Sequence, residues 1–168
     1  THSYSSAASD VYKRQTEFLD DGAAGIISPY TETVTQVKEL VGATKKRPLK
    51  GGRLDQLMAG KKNLEESLDD YINKFNENNL LILNIESKPA VDNLDEILEI
   101  EGIDAIQIGP HDLTTSLGIP EEYDNPIYLI TIELVFMKGR SKSVSYTHLR
   151  AHETNSNLVL RVVVVVCG

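Results

Sequence analysis

This chain of 168 residues offers almost no sulfur and little imidazole. A single cysteine, Cys167, excludes a disulfide framework and a thiolate-rich metal site. Of four histidines, His2, His148 and His152 stand near the ends, which leaves His111 alone in the middle. No basic stripe interrupts a formal net charge of −8, so a nucleic-acid footprint is not expected. No stretch attains the roughly 18 apolar residues of a membrane span. The first residues carry no basic–apolar–small leader pattern. A chain of this length is normally one domain with a sizeable core. The expectation is an acidic, cytoplasmic globular protein with neither nucleic acid nor membrane as partner.

The two ends read differently from the middle. Asp10-Val11-Tyr12-Lys13-Arg14-Gln15 can be encoded by gat gtg tat aag aga cag. The reverse complement of that word, read from its third base, encodes Val144-Ser145-Tyr146-Thr147-His148 and begins a leucine codon. Both ends thus fit one DNA word in opposite orientations, and that word resembles a transposase adapter used in sequencing libraries. Residues 1–15 and 142–168 are therefore expected to be adapter-like tails that stand outside the fold.

Between them the pattern alternates. Gly25-Ile26-Ile27, before Pro29, reads as a short buried parallel strand. Thr33 and Gln36 form a capping-box pattern, with Val34, Val37, Leu40 and Val41 at helical spacing behind it. Arg47 to Arg53 is a basic, Gly-rich loop that could hold an anion, although a solvated loop is the default reading. Asn63 with Glu66 opens a second helix with Leu64, Leu68, Tyr71, Ile72 and Phe75 on its apolar face. Leu80 to Ile85 is an apolar run broken only by Asn84, and it ends at Glu86. A helix with Leu94, Ile97 and Leu98 follows, ending near Gly102. Then comes Ala105 to Ile108, closed by Gly109-Pro110-His111-Asp112. This rhythm means βαβ units on a parallel sheet. An α/β architecture follows from it, but a barrel does not.

Glu86 and Asp112 each fall at the C-terminal end of an expected strand. One helix joins those strands, which makes them sheet neighbours with a right-handed crossover, about 4.8 Å apart. Two carboxylates so set can approach one divalent cation from the same side, at the edge where parallel sheets bind ligands. Oxygen-only ligation suits Mg²⁺ or Mn²⁺. The pattern equally allows Glu86 in a structural ion pair and Asp112 as the cap of a helix beginning at Leu113. The Gly109–Asp112 turn offers backbone N–H groups to a carboxylate, or is an ordinary strand-to-helix turn. His111 by itself reads as a solvated loop residue.

Four stretches, GAAGIISPY, RPLKGGR, NIESKPAVDNLDEIL and above all GIDAIQIGPHDLTTSLGIP, resemble the HpcH/HpaI family of class II pyruvate aldolases. The match runs from about Asp20 to Pro126 and keeps the family's spacing between its metal-binding Glu and Asp, here Glu86 and Asp112. The resemblance implies a (β/α)8 TIM barrel of the phosphoenolpyruvate/pyruvate type, with about three consecutive βα units present in residues 16–126. It also implies a homo-oligomer and a divalent metal, Mg²⁺ or Mn²⁺. The implied activity is a carbon–carbon lyase (aldolase) that cleaves a 2-oxo acid to pyruvate and an aldehyde through a metal-stabilised enolate. The family's turn before the Asp meets the pyruvate carboxylate, which maps to Gly109, Pro110 and His111. Its Gln two places before the Glu is Asn84 here, a shorter amide. The family's acid/base histidine and substrate-binding arginine have no counterpart, so this chain is expected to be an inactive fragment with no catalytic residue beyond the metal ligands. Residues 127–141 (from Ile127, IYLITIELVFM onward) lack the polar face of the family's amphipathic helix, which points to a frame error there. Two alternatives stay open: a non-catalytic module that binds a metal–oxo-acid complex, and a phosphoenolpyruvate-using relative on the same barrel.

Overall fold

The structure is a computed structural model that describes residues 16–141 and, of the remainder, the backbone of Val144–Thr147 and Val164–Cys167. In chain order the elements are β1 (Gly25–Ser28), α1 (Val34–Lys45), α2 (Gly51–Met58), α3 (Glu66–Phe75), β2 (Leu80–Ile85), α4 (Lys88–Asp92), α5 (Leu94–Leu98), β3 (Ala105–Ile108), α6 (Pro110–Ser116), α7 (Pro126–Ser141), β4 (Val144–Thr147) and β5 (Val164–Cys167). The strands form one sheet in the order β1-β2-β3-β5-β4. The first three run parallel, each pair joined by helices, as the alternation of sequence periods requires. β5 pairs antiparallel with β3, and β4 with β5. These last two strands fall in the stretch read from sequence as a tail.

The contacts divide the chain into two units. One comprises the chain up to Ile26 together with Thr35–Leu81; the other comprises Ile27–Val34 together with the chain from Ile82 onward. In the first unit, α1 buries Val37, Leu40, Val41 and Ala43 along one stripe. Leu54 of α2 packs against α1 where Gly42 has no side chain; a Cβ there would sit 3.5 Å from both Leu54 methyls. Asn76, buried after α3, donates through Nδ2 to the Arg47 and Ile72 carbonyls at 2.7 and 2.8 Å. Gly25 must be glycine for lack of space, because a Cβ would lie 2.5 Å from the Leu80 carbonyl oxygen.

Three readings of this unit are corrected. The Arg47–Arg53 stretch is not all loop, since α2 starts at Gly51. Both of its arginines are also paired internally: Arg47 pairs with Asp20 and lies 5.7 Å from the Phe75 ring centre, and Arg53 pairs with Glu65. The second expected helix begins at Glu66 rather than Asn63. Of its expected apolar face only Ile72 is fully buried, while Tyr71 and Phe75 are 53% and 48% exposed and stack loosely on each other.

In the second unit β2 and β3 are in register from Ile82↔Ala105 to Ile85↔Ile108. Leu83, Ile85, Ile106 and Ile108 are buried, as befits strands covered on both faces. Leu94 and Ile97 of α5, Leu113 of α6, and Tyr128 and Val135 of α7 complete this core. The single helix expected after Glu86 is two. Ser87 caps α4 by accepting from the Ala90 N–H at 3.3 Å, and the helix breaks at Asn93. Asn93 donates its side-chain amide to the Glu32 carbonyl at 2.9 Å, a long-range bond made where the helix breaks. α7 is helical along Pro126–Ser141 and is tied to α5 by Lys138 and Asp95 at 2.9 Å. It nevertheless leaves Ile127, Leu129, Ile130, Leu134 and Met137 exposed.

Candidate functional site

The second unit brings together residues that the sequence holds up to 82 positions apart. In a strand, alternate side chains share a face, so Ile82 and Asn84 lie opposite the fully buried Leu83 and Ile85. Glu86, the next residue in that alternation, is only 3% exposed. Its carboxylate accepts the Tyr30 backbone N–H on Oε1 at 2.6 Å and the Asn84 side-chain amide on Oε2. Asp112 lies in the first turn of α6, where the positive end of the helix favours a carboxylate. Its Oδ1 accepts the Tyr30 hydroxyl at 3.1 Å.

Tyr30 therefore holds both carboxylates, one with its main chain and the other with its ring. Its φ is +49°, a left-handed conformation that costs a non-glycine residue about 1–2 kcal/mol. That backbone is pinned two residues on: the Ser87 hydroxyl donates to Glu32 Oε1 at 2.6 Å, and Asn93 holds the Glu32 carbonyl. Strain held in place by such surroundings belongs to sites that must keep one geometry. Sequence reasoning singled out neither Tyr30 nor Glu32. The one signal present was that Ser28-Pro29-Tyr30 follows a strand parallel to β2 and β3, so its loop shares their C-terminal edge.

Gly109 forms the floor of the site. With φ at −92° its backbone would suit any residue, but a Cβ there would lie 2.7 Å from Glu86 Oε2, 2.8 Å from Glu86 Cβ and 3.0 Å from Asn84 Nδ2. Of the turn's donors, the Gly109 N–H goes to the Ile85 carbonyl at 3.2 Å and Pro110 has none. The N–H groups of His111 and Asp112 remain at the helix start. The His111 ring is exposed, with Nδ1 3.7 Å from Glu121 Oε1.

The two modest readings of the carboxylates do not describe what is seen. Glu86 meets neutral donors rather than a lysine or arginine among the described residues. The cap of α6 is Gly109, and the helix begins at Pro110, so Asp112 is not the cap. Burial, and after it the charge of Asp112, raise the Glu86 carboxyl above the ordinary carboxylate range, against the opposing pull of its two hydrogen bonds. The bond to Asp112 and that residue's charge likewise hold the Tyr30 phenol protonated, above its usual value.

The residues present fit a hard divalent cation. Two carboxylates repel one another across the site, and the buried Asn84 Oδ1 has no hydrogen-bond partner. The donors are all oxygen, and among the described residues no third His, Cys, Asp or Glu joins them. Hard cations that keep several positions for water or substrate are held in this way. Among the described residues, no helix is long and apolar enough to cross a membrane.

Comparison with known proteins bears on the family and the fold. The family model described as HpcH/HpaI aldolase/citrate lyase matches residues 5–164, a span that includes parts of both stretches read as tails. The 2-keto-3-deoxy-L-rhamnonate aldolase of Salmonella typhimurium is 39% identical over 125 residues, which is 74% of this chain and 46% of that protein. The chain thus spans about half the length of the curated relatives it matches. Among solved structures, an HpcH/HpaI aldolase from Desulfitobacterium hafniense superposes with a TM-score of 0.61 at 26% identity, covering 77% of this chain and 50% of that one. Citrate synthase SbnG gives 0.62 at 27% identity, covering 78% and 49%. These likenesses bear out the expected α/β fold as part of a TIM barrel. The chain belongs to the HpcH/HpaI aldolase/citrate lyase family.

Proposed function

We propose that the protein carrying this chain is a homo-oligomeric, cytoplasmic carbon–carbon lyase that cleaves a 2-oxo acid to pyruvate and an aldehyde. In this reading Glu86 and Asp112 hold Mg²⁺ or Mn²⁺. The observation that carries it is that two carboxylates following neighbouring parallel strands are bonded to one residue, Tyr30, with no cationic side chain among the described residues neutralising either. The relatives named above lend the reaction class.

A bound cation would supply Lewis acidity toward the oxygens of the 2-oxo acid. The chain's own residues do the rest of the holding. Glu86 and Asp112 would hold the cation, and the Asn84 amide orients Glu86. Gly109, having no Cβ, lets Glu86 and Asn84 pack directly against the turn. The N–H groups of His111 and Asp112, at the start of α6, receive the substrate carboxylate, with Pro110 setting the turn. No second histidine stands among the described residues to move a proton, and His111 faces Glu121 rather than the carboxylates. We infer that residues 16–126 bind the cation and the 2-oxo acid, and that this chain alone does not turn over.

The test is a titration of the chain with Mn²⁺ followed by water-proton relaxation, with pyruvate then added. We expect pyruvate to bind only when Mn²⁺ is present, Asp112→Asn to abolish both binding events, and no aldol cleavage by the chain alone. Pyruvate binding that ignores the cation, or cation binding that survives Asp112→Asn, would end this reading. A cleavage assay on the gene product joined to its genomic flanks separates a lyase from a non-catalytic binder.

A further inference from the structure

We propose that Tyr30 is a positioning residue that sets the separation and aim of the two carboxylates for a single cation; the inference rests on the metal reading above. Three observations carry it. The Tyr30 N–H is spent on Glu86 and its hydroxyl on Asp112, so one residue spans both ligands. Its backbone is held at φ +49°, and in that conformation its N–H and its hydroxyl reach Glu86 and Asp112 together. That turn is in turn braced by Glu32, gripped by Ser87 immediately after Glu86 and by Asn93. The brace therefore links the Tyr30 loop to the same segment that carries the ligand it aims.

The hydroxyl donates to Asp112 Oδ1. That leaves the carboxylate's remaining lone pairs for a cation while stopping the side chain from rotating away. Outer partners of this type raise metal affinity about 10–100-fold by holding the ligand in its bound orientation. A hydroxyl that instead occupied the Asp112 oxygen would compete with the cation. The two roles predict opposite signs.

Tyr30→Phe removes the hydroxyl and keeps the ring and the N–H. Tyr30→Gly also keeps the N–H, tolerates positive φ without strain and lacks the hydroxyl. Mn²⁺ binding is measured by electron paramagnetic resonance and by calorimetry on both variants, on the parent chain and on Glu86→Gln. The expected result is a Kd for Mn²⁺ raised about 10–100-fold in both Tyr30 variants. The bound Mn²⁺ spectrum is broadened, showing a less regular ligand set, and the metal-free unfolding midpoint of Tyr30→Phe is unchanged. Affinity equal to or tighter than that of the parent in Tyr30→Phe overturns the proposal and leaves the metal site standing. A parent that binds Mn²⁺ no better than Glu86→Gln removes the site itself, and the role of Tyr30 with it. If Tyr30→Phe unfolds, Tyr30→Gly decides alone: parent-like affinity there shows that the hydroxyl sets nothing.

Discussion

Gly109→Ala lowers the affinity for Mn²⁺ by about 100-fold or more, the cost that a displacement near 1 Å in a constrained site can impose. The substitution adds one methyl group, and that methyl has nowhere to go. It would meet Glu86 Cβ at 2.8 Å as well as Oε2 at 2.7 Å and Asn84 Nδ2 at 3.0 Å. A carboxylate tip could swing aside cheaply, but the Cβ of Glu86 is fixed to the end of β2, whose last residues are buried. The strand end or the turn must move, and either motion separates Glu86 from Tyr30 and Asn84. Overpacking of this kind costs about 1–3 kcal/mol of stability, so the loss of binding has to be measured on folded material. Circular dichroism during urea unfolding shows how much remains folded, and calorimetry with Mn²⁺ gives the affinity. Parent-like affinity in folded Gly109→Ala would mean that the Glu86 carboxylate is not a ligand.

Glu86→Gln moves stability and metal affinity in opposite directions. The folded state raises the Glu86 carboxyl above its unfolded value, chiefly by burial and next by the Asp112 charge. A carboxyl so shifted binds its proton more tightly when folded. The ionised form therefore costs stability above the raised value, and the cost disappears as pH falls below it. In the parent, stability of the metal-free chain declines as pH rises from the ordinary carboxylate range through the raised value, whereas Glu86→Gln is spared this decline. The variant also suits its partner: with the Asn84 amide turned over, the new side-chain amide donates to Asn84 Oδ1, which has no partner in the parent. The expected gain at neutral pH is about 1 kcal/mol, of the size that relieving a strained functional site commonly yields. Its Mn²⁺ affinity falls by roughly 100-fold or more, the upper range for even an outer partner of a ligand. Saturating Mn²⁺ then reverses the order of stabilities, because the parent gains more from binding than the variant does. Unfolding curves at acid and neutral pH, with and without Mn²⁺, check all three signs. A metal-free variant less stable than the parent at neutral pH would contradict the account of Glu86.

How much of this was legible beforehand depends on which forces decided it. The strands β2 and β3 and their neighbouring carboxylates were plain, because a buried parallel strand must be an apolar run and Glu86 and Asp112 interrupt the chain where such runs stop. α2 was missed because Gly51 and Gly52 read as loop, glycine being a poor helix former; here Gly51 lies at the helix start with φ at +59°. The break at Asn93 was invisible because its cause is a carbonyl 61 residues away. Tyr30 was invisible for a related reason. Its chemistry comes from its φ and from two partners distant in sequence, and neither leaves a local pattern. The resemblance to a family pointed to the pair of carboxylates but not to the residue that joins them.

The bare side of α7 alters what a solution measurement of this protein reports. Ile127, Ile130, Leu134 and Met137 recur at spacings of three and four, so they line up along one side of the helix, and each is at least 39% exposed. Environment-sensitive dyes adsorb to such a ridge whether or not the chain has melted. A heated sample would begin bright, and its fluorescence would track dye desorption as much as loss of structure. Calorimetry or amide circular dichroism, which are blind to that ridge, are the measurements on which the stability differences above should rest.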